Sequence, residues 1–135
     1  MKALQQCNTE GGPIAGADNF YRGGELKVYD EPTRQAIASL KDKILADKLS
    51  LIWEKALSSC WQGEKVWVHG DIALGNLLIN QGELSAVIDF GQLAVGDPAG
   101  DLALYWTLFQ EESQIIFRQR MGLDTDTWDL SLIHI

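Results

Sequence analysis

Basic residues are scarce in this chain: 11 Lys and Arg stand against 19 Asp and Glu, a formal net charge of −8 at pH 7. Nucleic-acid binding needs clusters of Lys and Arg to neutralise phosphates, and no such cluster is present, so a nucleic-acid partner is not expected. Cysteine is scarce too, and Cys7 and Cys60 form neither a metal-ligand nor a disulfide pattern. No signal-peptide pattern is visible and no apolar run reaches spanning length, so no membrane partner is expected and a reduced, cytoplasmic setting is the simplest expectation. Internal repeats and low-complexity tracts are also missing. What remains is a composition that is 46% hydrophobic with five Trp, which argues against disorder. A chain of 135 residues can bury roughly two-thirds of its unfolded surface, enough for one core. The acidic balance would suit a cationic substrate, although acidic solvated surfaces are common.

The informative residues are concentrated in two short stretches, His69-Gly70-Asp71-Ile72-Ala73-Leu74-Gly75-Asn76 and Ile88-Asp89-Phe90-Gly91. Phosphoryl transfer to a hydroxyl asks little covalent chemistry of a protein. It needs one carboxylate to orient and deprotonate the acceptor, plus an Asn and a second carboxylate to hold the cation that bridges the nucleotide phosphates. In the protein-kinase pattern the catalytic-loop Asp and Asn are five positions apart and a later Asp-Phe-Gly supplies the other ligand. Asp71 and Asn76 keep that interval, and Asp89-Phe90-Gly91 follows. Asp71 is therefore the candidate base, and Asn76 and Asp89 are the candidate magnesium and nucleotide-phosphate ligands. Their competing roles are local: a turn Asp bonding its own backbone, a ribbon cap and a strand-end turn residue. His69 reads as a brace for the loop, because Asp71 already fills the role of base.

Strand register tests the spacing. Two β-prone runs, Leu77 to Asn80 and Glu83 to Ile88, are joined by Gln81-Gly82, as suits a two-residue hairpin turn. If Asn80 faces Glu83, then Ile79 faces Leu84 and Leu77 faces Ala86, which gives the ribbon one apolar face. Continued, this register sets Asn76 opposite Val87 and makes Asp89 its diagonal neighbour, roughly 7–8 Å away at the backbone. Two oxygen-bearing side chains so placed can share one hard cation. A one-residue slip would turn the apolar set to the wrong face.

Elsewhere the pattern is helical. Residues 1–18, rich in Gly, Asn and Gln, read as a linker or residual interdomain segment. A helix is expected from Asp30 as its cap, with Pro32 in the first turn and Ile37, Leu40 and Ile44 on one face. A second is expected near 49–60, with Ile52, Trp53, Ala56, Leu57 and Cys60 on its apolar face. Val66-Trp67-Val68 forms a short strand feeding the loop. Asp97-Pro98 starts a helix carrying Leu102, Tyr105, Trp106 and Phe109, and another covers 111–121, closed by Gly122. Asp124 to Trp128 begins a further helix, but residues 130–135 abandon helical patterning and read as an atypical tail, truncated or non-native, in which His134 has no role. Trp53, Trp61, Trp67, Trp106 and Phe109 are assigned to the core and not to a stacking platform. Helices around a small antiparallel β-ribbon make an α-rich α+β fold.

His69-Gly70-Asp71 with Gly75-Asn76, then Ile88-Asp89-Phe90-Gly91, then Gly96-Asp97-Pro98-Ala99 with Asp101-Leu102-Ala103, resembles the aminoglycoside phosphotransferase family of small-molecule kinases and the related macrolide, choline and homoserine kinases. The motifs cover about residues 65–106, and residues 19–64, with Phe20-Tyr21-Arg22-Gly23-Gly24, are similar to what precedes the catalytic loop in some members. The resemblance implies a protein-kinase-like fold, of which 19–129 would be an incomplete C-terminal lobe. It implies ATP and Mg2+ as cofactors, a small-molecule hydroxyl as acceptor, and Asp101 steadying the catalytic loop by accepting backbone hydrogen bonds.

The nucleotide-clamping lobe should bring a glycine-rich loop, a strand lysine and a helix glutamate. Gly11, Gly12 and Gly16 lack the G-x-G-x-x-G spacing and no Val-Ala-Ile-Lys-like strand occurs. The expectation is a fragment whose partner is the missing N-terminal lobe, with Met1 an internal start or a fragment edge, and little activity alone. Two departures bear on substrate positioning. Ala73-Leu74 replaces a common His-Pro, and Gln92 stands where many members have an acid. The rival readings are a catalytically silent kinase-like interaction module and a magnesium-dependent hydrolase using the same two Asp.

Overall fold

A computed structural model of the chain describes residues 1–133, so the expectations for His134 and Ile135 lie outside the described residues. The architecture is α+β, about half helical with small antiparallel sheets. It divides into two bodies, one formed by Met1–Gly24 and Gly63–Ile135, the other by Glu25–Gln62. Among the described residues no helix is long and apolar enough to cross a membrane.

The smaller body holds a short 3-10 turn, Leu26–Tyr29, and two helices, α2 (Asp30–Ser39) and α3 (Ala46–Ser58). Asp30 does not cap α2; Tyr29 occupies the cap position and no side chain closes that end. The Asp30 carboxylate instead accepts from the Trp53 indole N–H at 2.8 Å and from Arg34 Nε at 2.7 Å. A buried indole needs an acceptor, and that tertiary demand overrides the local cap. The Trp53 bond is also the main reason the Asp30 carboxyl lies below its ordinary value. Helix α3 starts before residue 49 and ends at Ser58, so Cys60 lies beyond it and is exposed. Trp53 and Ala56 are buried on its inner face, whereas Ile52 faces solvent.

The larger body carries the remaining elements. Helix α1 (Lys2–Gln5) packs along β1 (Val66–Val68), and Lys2 Nζ reaches the Met121 carbonyl at 2.8 Å. Residues read as a linker thus lie along the sheet: the Pro13 carbonyl accepts from Val95 N at 2.7 Å, and the Asn8 carbonyl accepts from the Trp67 indole at 2.7 Å. β1 pairs antiparallel with β4 (Ala94–Gly96), which the sequence did not announce, in the register Val66 to Gly96, Trp67 to Val95 and Val68 to Ala94. All three β4 residues are buried.

The second sheet is the ribbon of β2 (Leu77–Asn80) and β3 (Glu83–Val87). Near the turn the register is the expected one, Asn80 to Glu83 and Ile79 to Leu84. Beyond it a bulge intervenes, so that Leu78 opposes Ala86 and Leu77 opposes Val87, not Ala86. Ser85 is the inserted residue on β3. Bulges bend a strand and re-aim the side chains beyond them, often beside functional sites.

After β4, Asp97 caps a 3-10 turn, Pro98–Leu102, by accepting from Ala99 N at 2.8 Å with Pro98 in the first position. α4 (Ala103–Thr107) and α5 (Glu111–Met121) follow, and α5 is closed by Gly122 in the left-handed conformation, φ 64°. α6 (Thr125–Ile133) is held at its start by Asp124, which accepts from Thr127 N and Thr127 Oγ1 at 2.9 and 2.8 Å. Helix α6 continues through Ile133, with Leu130 and Ser131 buried, so 130–133 are helical where the pattern had suggested otherwise. The cause is packing: Trp128, 1% exposed, joins Leu102 and Met121 in the core, with Tyr105 and Phe117 against it. Of the aromatics assigned to the core, Trp53 is buried, Trp61, Trp67 and Phe109 are half-buried, and Trp106 is exposed.

Candidate active site

The loop after β1 begins at His69, which is fully buried. Its backbone N–H and that of Gly70 donate to the two oxygens of Asp101, at 2.7 and 2.9 Å. Asp101 comes from the 3-10 turn capped by Asp97 and is 1% exposed. Burial pushes its carboxyl above the ordinary value, and the two backbone donors pull it back. Gly70 has φ 82°, and a Cβ there would overlap the Gln92 carbonyl oxygen, so only glycine lets the loop lie against that turn.

Both ring nitrogens of His69 are engaged. Asp71 N lies 3.3 Å from Nδ1 and can only donate, while the Ile88 carbonyl lies 2.9 Å from Nε2 and can only accept. The ring therefore carries its hydrogen on Nε2 and a lone pair at Nδ1. Ile88 N in turn donates to the Asn76 carbonyl at 3.0 Å, and Asn76 Nδ2 donates to the Asp71 carbonyl at 2.8 Å. These four bonds close a ring through Asp71, His69, Ile88 and Asn76. The ring brings together three of the positions singled out in sequence, and a fourth, Asp89, through its neighbour Ile88.

The bulge alters how Asp89 reaches this place. Asn76 pairs with Ile88, not Val87, so the diagonal relation expected between Asn76 and Asp89 does not hold. Asp89 instead leaves the ribbon in the left-handed conformation, φ 63°, which for a non-glycine residue costs roughly 1–3 kcal/mol and persists only where its surroundings fix it. The bonded Ile88 peptide and the Phe90 ring, 4.6 Å from the His69 ring, flank it on both sides.

The polar atoms left over are all oxygens. Among the described residues the Asp71 carboxylate, Asn76 Oδ1 and the Asp89 carboxylate accept no hydrogen bond from protein. Donation of Nδ2 to Asp71 orients the Asn76 amide and frees its oxygen. Oxygen donors of this kind suit a hard cation that keeps several waters. No three His, Cys, Asp or Glu side chains converge among the described residues, so the set fits a cation held partly by other ligands, not a closed protein cage. Sequence reasoning missed the Ile88 peptide and the pair Arg22 and Gln92, whose side chains bond at 2.8 Å. A backbone role leaves no residue signature, and Arg22 lies 70 positions from Gln92.

The family profile described as phosphotransferase enzyme family matches residues 1–130, and the chain belongs to that family. It is similar to an aminoglycoside 3'-phosphotransferase of Escherichia coli, 31% identical over 75 residues, covering 53% of this chain and 28% of the relative. It is also similar to one of Salmonella typhimurium, 34% identical over 64 residues, with 45% and 24% covered. The uncharacterized protein YcbJ of Bacillus subtilis is 30% identical over 88 residues, with 62% and 29% covered. The chain spans under a third of the length of these curated relatives. No solved structure matches it significantly.

Proposed function

We propose that this chain is the chemistry-bearing, C-terminal lobe of a small-molecule kinase that moves the γ-phosphate of ATP to an acceptor hydroxyl. The observation that carries the reading is the closed hydrogen-bond ring, which engages backbone groups of Asp71, Asn76 and Ile88 with the His69 ring, the Asn76 amide and one another, while among the described residues the side-chain oxygens of Asp71, Asn76 and Asp89 accept no hydrogen bond. Asp71 acts as base toward the acceptor hydroxyl. Asn76 and Asp89 would hold a magnesium ion, which would supply positive charge against the phosphates. His69, with both nitrogens bonded to backbone, braces the loop, and Asp101 fixes its first two peptides. The glycine-rich loop and lysine that hold the outer phosphates have no counterpart in these 135 residues, so a nucleotide-clamping lobe is the required partner. Aminoglycosides come first as acceptors, after the named relatives; macrolides, choline and homoserine follow only from the resemblance of the motifs.

The test is ATP consumption against those acceptors by the protein in which this chain is joined to its clamping lobe, with and without Asp71→Ala. Loss of the carboxylate should lower kcat by about 10²–10⁴-fold. Equal turnover with and without it overturns the mechanism. One observation favours the second reading, a silent interaction module: Leu78, Ile79 and Leu84 lie exposed on the ribbon. Turnover by the joined protein excludes it.

A further inference from the structure

Residues 14–24 form a strap along β4 that is more heavily tied than a connection needs to be. Asn19, buried, accepts from Gly16 N at 2.8 Å and donates to the carbonyls of Ile14 and Leu93 at 3.0 and 3.4 Å. The Gly23 carbonyl accepts from Asp97 N at 2.9 Å. Between these anchors Phe20 and Tyr21 both adopt left-handed backbone, φ 53° and 55°. Two consecutive bulky residues in that conformation need surroundings that over-determine them, and outliers of this kind gather at functional sites. The residue delivered by the turn is Arg22.

Arg22 lies half-buried with its Cγ 3.0 Å from where a Cβ on Gly70 would stand, and its Nε donates to Gln92 Oε1 at 2.8 Å. No carboxylate pairs with it among the described residues, although acids outnumber bases 19 to 11. The bond is therefore a geometric tie and not a charge pair. It ties the strap, where Arg22 packs over Gly70 beside the candidate base, to the turn that carries Asp89, three residues before Gln92. We infer that Arg22 is a positioning residue for Asp89: bonding Gln92 across Gly70, it pins the 89–92 turn to the catalytic loop so that the carboxylate is held ready for the cation. This rests on the metal role proposed for Asn76 and Asp89.

Paramagnetic broadening by Mn2+, followed residue by residue in NMR spectra of this chain, tests it without turnover. In the unaltered chain broadening should centre on the Asn76 side-chain amide and the Gly91 backbone amide. Arg22→Ala and Gln92→Leu should each raise the Mn2+ concentration for half-broadening about tenfold, the range seen when a partner of a metal ligand is removed. The double variant should be no worse than either single one, and Arg22→Lys should not restore binding, because it lacks the Nε donor. If Arg22→Ala unfolds the chain, Gln92→Leu, which leaves the strap untouched, carries the test. Correct broadening in the unaltered chain with the same midpoint in a folded variant overturns the role of Arg22 and leaves the metal site standing. Broadening centred elsewhere in the unaltered chain overturns the metal site and this inference with it.

Discussion

Among the described residues two sheets of two strands each sit in the larger body, and they are held in opposite ways. β1 and β4 are locked by burial: every β4 residue is covered, and the carbonyls of Pro13 and Gly23 accept further backbone bonds from Val95 and Asp97. The β2–β3 ribbon is largely exposed, with Leu78, Ile79 and Leu84 facing outward, and the polar ring through Asn76 and Ile88 fastens its base. An isolated hairpin is marginal in water, so the ring is what fixes its open end. The buried pair supplies a rigid floor for the loop. The ribbon supplies side chains whose oxygens stay available.

The comparison breaks most severely at Asp101, which fastens the loop to the buried side. Asp101→Ala orphans the His69 and Gly70 N–H groups, and each buried donor without a partner costs roughly 1–3 kcal/mol, so a loss of about 3 kcal/mol is expected in urea unfolding. The same group has a pH signature. Its folded carboxyl lies above the ordinary 3.8 because of burial, so between that value and the raised one the native state holds a proton that the unfolded chain has released. Stability from this group therefore falls as pH rises through that window, and the difference between the unaltered chain and Asp101→Asn should show that slope. A difference that grows more favourable with rising pH contradicts the desolvated placement of Asp101.

Next in size is Gly96→Ala, within β4. A methyl there would overlap the Gly23 carbonyl oxygen, carbon and Cα, which are backbone atoms unable to rotate away. Separating strap from strand should cost about 2 kcal/mol in the same assay. Unchanged stability would mean that the strap does not lie on the sheet.

How much of this was legible depends on the range of each interaction. Asp97 before Pro98 and Gly122 after Met121 are local punctuation, and both stand where spacing put them. The Asp71 to Asn76 interval marked the loop, and the ring shows why it matters, since the Asn76 amide spans back to the Asp71 carbonyl. Longer-range demands were hidden. Asp30 was taken by the Trp53 indole, and Trp128, placed at the start of a helix, proved to be the centre of the core. The bulge at Ser85 has no sequence mark, because Ser is an ordinary residue on an exposed strand. Residues 1–18 look like a linker by composition, yet they carry the carbonyls that Trp67 and Val95 bond.

The smallest effect belongs to the ribbon. Leu84 is 59% exposed opposite Ile79, so Leu84→Ser removes little buried apolar surface and adds a hydroxyl that water can solvate. Its stability change should stay within about 0.5 kcal/mol, the usual range for surface substitutions. A loss of several times that would mean the apolar face is covered in solution. Sedimentation of the unaltered chain would then show a concentration-dependent shift absent from the variant, since exposed apolar patches favour association. An unchanged midpoint with no shift leaves the contrast intact: burial builds the floor, and polar ties aim the ribbon.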